Sequence, residues 1–86
     1  MKKAKHPSRD PIVKRLRRAE GHLHSITALL ATDRSPFDLA QQLRAVEAAI
    51  CAAKRRLIHD HLQHRLGYGE ASGFVLLEIR RLMKLL

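Results

Sequence analysis

Two sets of side chains in this 86-residue chain have the types and spacing for chemistry. The first is cationic. Residues 1–18 carry eight bases (Lys2, Lys3, Lys5, Arg9, Lys14, Arg15, Arg17, Arg18) against one acid, Asp10, and so hold most of a formal net charge of +9. Lys14 and Arg18 are four apart and Arg15 and Arg18 three apart, which makes them neighbours on a helix. Guanidinium groups present a rigid fork of donors that suits phosphate. A basic block this concentrated points to a polyanion, most often nucleic acid. The plainer alternative is a solvated helix face that only aids solubility. The second set is six histidines and one cysteine. His61 and His64 are three apart and share a face where the chain is helical. His22 and His24 are two apart, do not face each other, and read as structural. Cys51 follows Ile50 in an apolar row and reads as a small buried hydrophobe, since nothing beside it activates a thiolate. A lone thiol excludes an intrachain disulfide and fits a reducing cytosol.

The sequence has no Gly-rich phosphate loop, no HExxH and no CxxC. No nucleophile–base pair and no paired carboxylates stand out, so an enzyme is not expected. No apolar run approaches the roughly 18 residues that span a bilayer. The basic residues 1–9 are followed by no apolar h-region, so neither a signal peptide nor a membrane partner is expected, and the location implied is cytoplasmic. At 45% apolar and 29% charged, the composition suits a folded, water-soluble chain.

The elements that position these groups are helical. Residues 1–9 read as a flexible basic arm and 10–86 as one all-helical domain. Asp10-Pro11 is a helix start, with Asp as N-cap and Pro at the first helical position. Apolar residues follow at Ile12, Leu16, Ala19, Leu23, Ile26 and Leu30, in steps of 4, 3, 4, 3, 4, until the pattern stops near Ala31. Ser35-Pro36-Phe37-Asp38 is a second start, with Asp38 at the capping-box position. The same stepping resumes at Leu39, Leu43, Val46, Ile50, Ala53 and Leu57. A second row, Ala40, Ile50, Leu57, Ile58 and Leu62, makes this helix apolar on more than one side. It runs to Leu66, roughly 30 residues and about 45 Å. Tyr68 to Gly73 reads as a turn, and Val75, Ile79, Leu82 and Leu86 mark a third helix. No segment alternates with period two. The fold class is all-α: a three-helix protomer with a long central helix. The first helix covers only part of that central helix, so a second copy is expected to complete an antiparallel four-helix bundle.

Arg15-Leu16-Arg17-Arg18-Ala19-Glu20-Gly21-His22-Leu23 resembles the first-helix motif of the CsoR/RcnR family of bacterial metal-sensing repressors. Gln41-Gln42-Leu43-Arg44-Ala45-Val46 and Asp60-His61-Leu62-Gln63-His64 resemble its second-helix motifs. The resemblance covers about residues 6–86 and is closest to the NreA-like branch associated with nickel resistance. It implies a homotetramer built as a dimer of dimers, which represses metal-efflux or resistance genes and releases a double-stranded DNA operator when an inducer binds. Arg15, Arg17 and Arg18 match the DNA-contacting positions. Lys14 and, from the second helix, Arg55 extend that surface, with Arg44, Lys54 and Arg56 nearby.

The family's metal ligands are a Cys at the start of the second helix, a His near its end, and a Cys or His four residues later. The first comes from one subunit and the others from its partner. Here those positions are Pro36, His61 and Arg65. Proline has no side-chain donor and arginine stays protonated, so copper through the usual thiolate site is not expected. A nickel or cobalt site built from His61, His64 and His6 is the metal chemistry that remains; polar histidines near a helix end are the alternative. Glu78 matches a position that supports the ligands in the family. A second functional expectation is a ligand-deficient subunit that co-assembles with a metal-competent paralogue and modulates it.

Overall fold

The chain folds into α1 (Asp10–Leu29), α2 (Pro36–Gly67) and α3 (Gly73–Met83), in a computed structural model that describes residues 9–67 and 73–86. Among the described residues there is no strand. The expected arm, apart from Arg9, and the expected turn, apart from Gly73, lie outside the described residues.

Both helix starts use proline in the first turn, where its missing N–H costs no hydrogen bond. The two caps differ. Ser35 Oγ accepts a hydrogen bond from the Asp38 N–H at 3.1 Å, as its position predicts. Asp10 does not cap α1. It is itself the first helical residue, and the cap position falls to Arg9, which has helical dihedrals and makes no side-chain cap bond. Asp10 still places a carboxylate in the positive first turn. Asp38 does not close a capping box either; it accepts from Arg34 Nη1 at 3.1 Å and Gln42 Nε2 at 3.4 Å. The α1 helix ends at Leu29, two residues before the sequence suggests. There the bonding tightens, with Ala31 N–H to Ala28 O and Thr32 N–H to Leu29 O, and the chain turns.

The 4-3 stripe of each long helix is not one face but two. Ile12, Ala19 and Ile26 of α1 are buried, as are Leu39, Val46 and Ala53 of α2. These rows have seven-residue spacing and form the seam of the α1–α2 hairpin, with Ala19, Ile26, Leu39 and Val46 in one cluster backed by Leu29 and Ala49. The alternate rows, Leu16, Leu23 and Leu30 on α1 and Leu43, Ile50 and Leu57 on α2, all remain exposed. Of the second α2 row, Ile58 is buried, Leu62 is half-buried and Ala40 is exposed.

At 32 residues, α2 is about 48 Å long. Its first part pairs with α1, and α3 packs near its C-terminal end, where Val75 and Ile58 are buried. Ile79 and Leu82 are half-buried, whereas Leu86 of the expected stripe is exposed. The molecule measures 55 × 35 × 13 Å. Its thin dimension is close to the diameter of one helix with side chains, about 10–12 Å. A layer one helix thick buries apolar residues only along its seams, which is why whole heptad rows stay at the surface. No helix among the described residues is long and apolar enough to cross a membrane.

Candidate nucleic-acid face and sensing junction

The cationic residues of α1 sit where their spacing puts them. Lys14, Arg15, Arg17 and Arg18 are all exposed and form an arc outside the buried Ile12–Ala19–Ile26 row. The arc has two flanks. Arg15 and Arg18 line a groove on the α1–α2 seam with Ala19, His22, Val46 and Ala49. Arg17 lies on the other flank, beside the apolar groove formed by Val13, Leu16, Leu23, Val46 and Ile50. On α2, Arg44, Lys54, Arg55 and Arg56 are exposed. Arg56 is turned along its own helix: its Nε lies 3.1 and 3.2 Å from the two oxygens of Asp60, which offsets its charge locally. Arg55 is exposed on α2.

His22 is half-buried and bonded across the hairpin, its Nε2 3.3 Å from Gln42 Oε1. The expectation of a structural role holds for His22 but not for His24, which is exposed. Gln42 Nε2 donates to Asp38 Oδ2, which also accepts from Arg34. A polar chain therefore runs from the α1–α2 turn to the basic groove: Arg34, Asp38, Gln42, His22. Its first three members are spaced i, i+4, a pattern visible in the sequence once the polar residues are read with the same period as the apolar ones.

The second site lies where α3 meets α2. His61 Nε2 hydrogen-bonds to Glu78 Oε1, and Arg65 Nε lies 3.8 Å from the same oxygen. One carboxylate thus bridges an imidazole and a guanidinium that are four residues apart on α2. The hydrogen bond from His61 holds the Glu78 carboxyl below the usual carboxylate range; the charges of Arg65, His61 and Arg81 add to this, and desolvation works against it. Glu78 therefore does touch the expected ligand residue. The role of Arg65 as the second cation of the bridge was not visible from its type alone.

The metal ligands expected here do not assemble within the described residues. The α2 helix persists through both His61 and His64, as their pairing requires, yet no group of three His, Cys, Asp or Glu side chains is placed to hold a metal ion among the described residues. His6 lies outside them. Pro36 is at the opposite end of α2 from His61, about 38 Å away along the axis, so the two positions do not meet within one protomer. Cys51 is half-buried rather than fully buried and lies ten residues before His61, about 15 Å along the same helix. A guanidinium beside the His61 carboxylate partner does the charge-balancing that a bound cation would do. Within the described residues the junction brings together His61, Glu78 and Arg65, without a group of three metal-ligating side chains.

Comparison with known proteins agrees with this architecture. The sequence model of a family described as "Metal-sensitive transcriptional repressor" matches residues 8–86. The copper-sensing transcriptional repressor RicR of Mycobacterium tuberculosis is 32% identical over 65 residues, covering 76% of this chain and 68% of that protein. The copper-sensing transcriptional repressor CsoR of Bacillus subtilis is 34% identical over 65 residues, covering 76% and 64%. The CsoR of Mycobacterium ulcerans is 39% identical over 49 residues, covering 57% and 42%. The chain thus spans less than two thirds of the length of two of these three relatives. No solved structure matches it at a significant level. With the family match covering residues 8–86, the chain belongs to the metal-sensitive transcriptional repressor family.

Proposed function

We propose that the protein is a DNA-binding repressor that holds its operator through the basic arc of α1 and assembles through the exposed heptad rows. The observation that carries the reading is the separation of the two surfaces. Arg15 and Arg18 line a groove on one side of the hairpin seam, whereas Leu16, Leu23 and Ile50 line an apolar groove on the other, with Leu43 and Leu57 also exposed. Burying such residues against a second copy removes each from water, worth about 1.5–3 kcal/mol per fully buried large side chain. Arg17, on the flank nearer that face, and Arg55 on α2 complete the proposed DNA contacts. A dimer, or a dimer of dimers, then presents the basic arcs of several protomers to one duplex.

The signal is read at the α2–α3 junction in this proposal. His61, with His64 and His6 as further imidazoles, supports nickel or cobalt better than copper, because Cu(I) calls for thiolates and Cys51 stands apart from the junction. Copper sensing is a property of the named relatives and does not transfer with the fold. The Arg65–Glu78 pairing favours a second reading in which this subunit has lost its ligand and modulates a metal-competent paralogue through the same apolar face.

Fluorescence anisotropy of the purified protein on the DNA upstream of its own gene tests the reading. The titration is run at fixed salt without metal and with Ni(II), Co(II), Zn(II) or Cu(I). Tight binding to this DNA over bulk DNA is expected, with release by Ni(II) or Co(II). Equal affinity for any sequence would reject the repressor. Release by Cu(I) alone would reject the imidazole site. Tight binding indifferent to every metal, with a paralogue restoring the response, would select the modulating subunit.

A further inference from the structure

Arg9, Leu57, Ile58, His61 and Leu82 surround a cavity of about 210 Å³. All three helices contribute to it. Arg9 stands at the start of α1, Leu57, Ile58 and His61 belong to the C-terminal half of α2, and Leu82 lies in the last turn of α3. Since α1 and α3 each pack on α2, the cavity marks the place where the start of one and the end of the other approach over the same stretch of that helix. Its walls are apolar. Ile58 is buried, Leu82 is half-buried, and Leu57 keeps 40% of its surface open to solvent. Water needs two to four polar partners to be held in place, so walls of this kind favour an apolar body.

The charge turned toward the cavity has one sign. No carboxylate lines it. Glu78, the acid nearest to it through His61, has its carboxylate bonded to His61 and 3.8 Å from Arg65 Nε. Arg9 makes no side-chain cap bond to α1 and no ion pair among the described residues. A guanidinium in that state beside an apolar cavity selects an anion, and its fork of donors takes both oxygens of one carboxylate. A phosphate ester would bring further charged oxygens that leucine and isoleucine walls cannot pair. The volume also limits the ligand. It lies below the roughly 300–1,000 Å³ of sites for drug-sized molecules, which restricts the body to a short alkyl chain or a single ring.

We infer that this cavity binds a small apolar monocarboxylic acid, with its body against Leu57, Ile58 and Leu82 and its carboxylate on Arg9. The bound acid bridges the residue before α1 to the last turn of α3, and so ties the helix that carries the basic arc to the junction at His61. The inference goes beyond the repressor reading and does not depend on it, because the acid is recognised without DNA or metal. A second copy laid along the outer heptad rows also reaches Leu57 and is the competing occupant. An apolar row would cover the walls but offers Arg9 no acceptor, whereas a carboxylic acid satisfies both.

Titration calorimetry of the full chain with hexanoate and with benzoate, in the absence of DNA and metal, tests the site. At least one of the two should bind. Hexanol has the body of hexanoate without the charge and should bind about tenfold more weakly, the scale of one charge-assisted hydrogen bond. Acetate has the charge without the body and should give no measurable binding. Arg9→Gln should bring hexanoate down to the level of hexanol and leave hexanol unchanged. Leu82→Phe adds apolar volume to the cavity and should weaken both. Circular dichroism confirms that the helices of each variant are intact. In methyl NMR spectra the shifts caused by the acid should centre on Leu57, Ile58 and Leu82. No binding of either acid by the wild type would overturn the proposal. Equal affinity for hexanoate in the wild type and Arg9→Gln would overturn the carboxylate assignment. Shifts centred on Leu16, Leu23 and Ile50 would move the acid to the apolar groove of the hairpin and overturn the site. Binding by a monomeric Leu23→Lys/Ile50→Lys variant but not by the wild-type assembly would show that a second copy fills the cavity, which also overturns it.

Discussion

The two seams of α2 are built differently. Against α1, packing is apolar and periodic: Ile12, Ala19 and Ile26 meet Leu39, Val46 and Ala53, every seventh residue on each side. Against α3, a small apolar patch at Val75 and Ile58 is joined by one carboxylate shared between a histidine and an arginine. Side chains of the first seam are nearly all removed from water. In the second, His61 and Glu78 each keep over a third of their side-chain surface. The first seam depends on burial and tolerates little change in volume. The second depends on charge and hydrogen bonding at a partly solvated site, where interactions are weaker and adjustable. A repressor scaffold that must persist while its signal changes would divide its interactions in this way.

Five variants break or sharpen that contrast. The largest effect belongs to the hairpin seam. Ile26 is 1% exposed, and Ile26→Ala should cost about 2–5 kcal/mol in denaturant unfolding at fixed protein concentration. The same truncation costing under about 1 kcal/mol would show that the seam is not a packed core. Next comes the outer heptad face. Leu23→Lys with Ile50→Lys places like charges where a second copy is proposed to pack. The variant should sediment as a helical monomer, and an unchanged oligomer would move the interface elsewhere. Smaller still is the start of α2. Ser35→Ala removes the bond to the Asp38 N–H and should lower stability by about 1 kcal/mol; Asp10→Ala, which removes no cap bond, should cost less. The smallest global effect is at the polar seam. Glu78→Gln should lower amide protection in α3 with little change in overall unfolding.

Acid provides a second view of Glu78. Its carboxyl lies below the ordinary value of 4.5 in the folded chain, chiefly through the His61 hydrogen bond. Stabilisation from the ionised group is therefore present above the unfolded value and is lost as pH falls through the lowered folded one. Protection of α3 in the wild type should drop on acidification below about pH 4.5, and Glu78→Gln should start lower and show no such step. An identical acid profile in both proteins would mean that the carboxylate does not tie α3 to α2.

Much of the scaffold was legible because it is written in spacing. The 4-3 steps of the long helices and the Ser35-Pro36 start are local signals, and the helices follow them. Local pattern does not say which half of a stripe an adjacent helix covers. Leu16 and Ile12 are equivalent as apolar residues, and only the crossing of α1 over α2 buries one and exposes the other. Asp10 failed as a cap for a related reason: the backbone at Arg9 is already helical, so the capping position moved one residue upstream. The basic arc was legible as charge, whereas its division into a groove flank and an apolar flank was not. At the junction, His61 and Glu78 were legible through family likeness. The pairing of Arg65 with Glu78 depends on α3 returning across the end of α2, which no spacing in α2 encodes.

The salt dependence of operator binding tests the central claim most directly. Removing one phosphate-binding side chain should reduce the slope of log affinity against log salt by about 0.9. Arg15→Ala/Arg18→Ala should therefore bind the upstream duplex more weakly and with a slope shallower by roughly two for each protomer on the DNA. A slope identical to that of the wild type would mean that the basic arc of α1 does not lie on DNA.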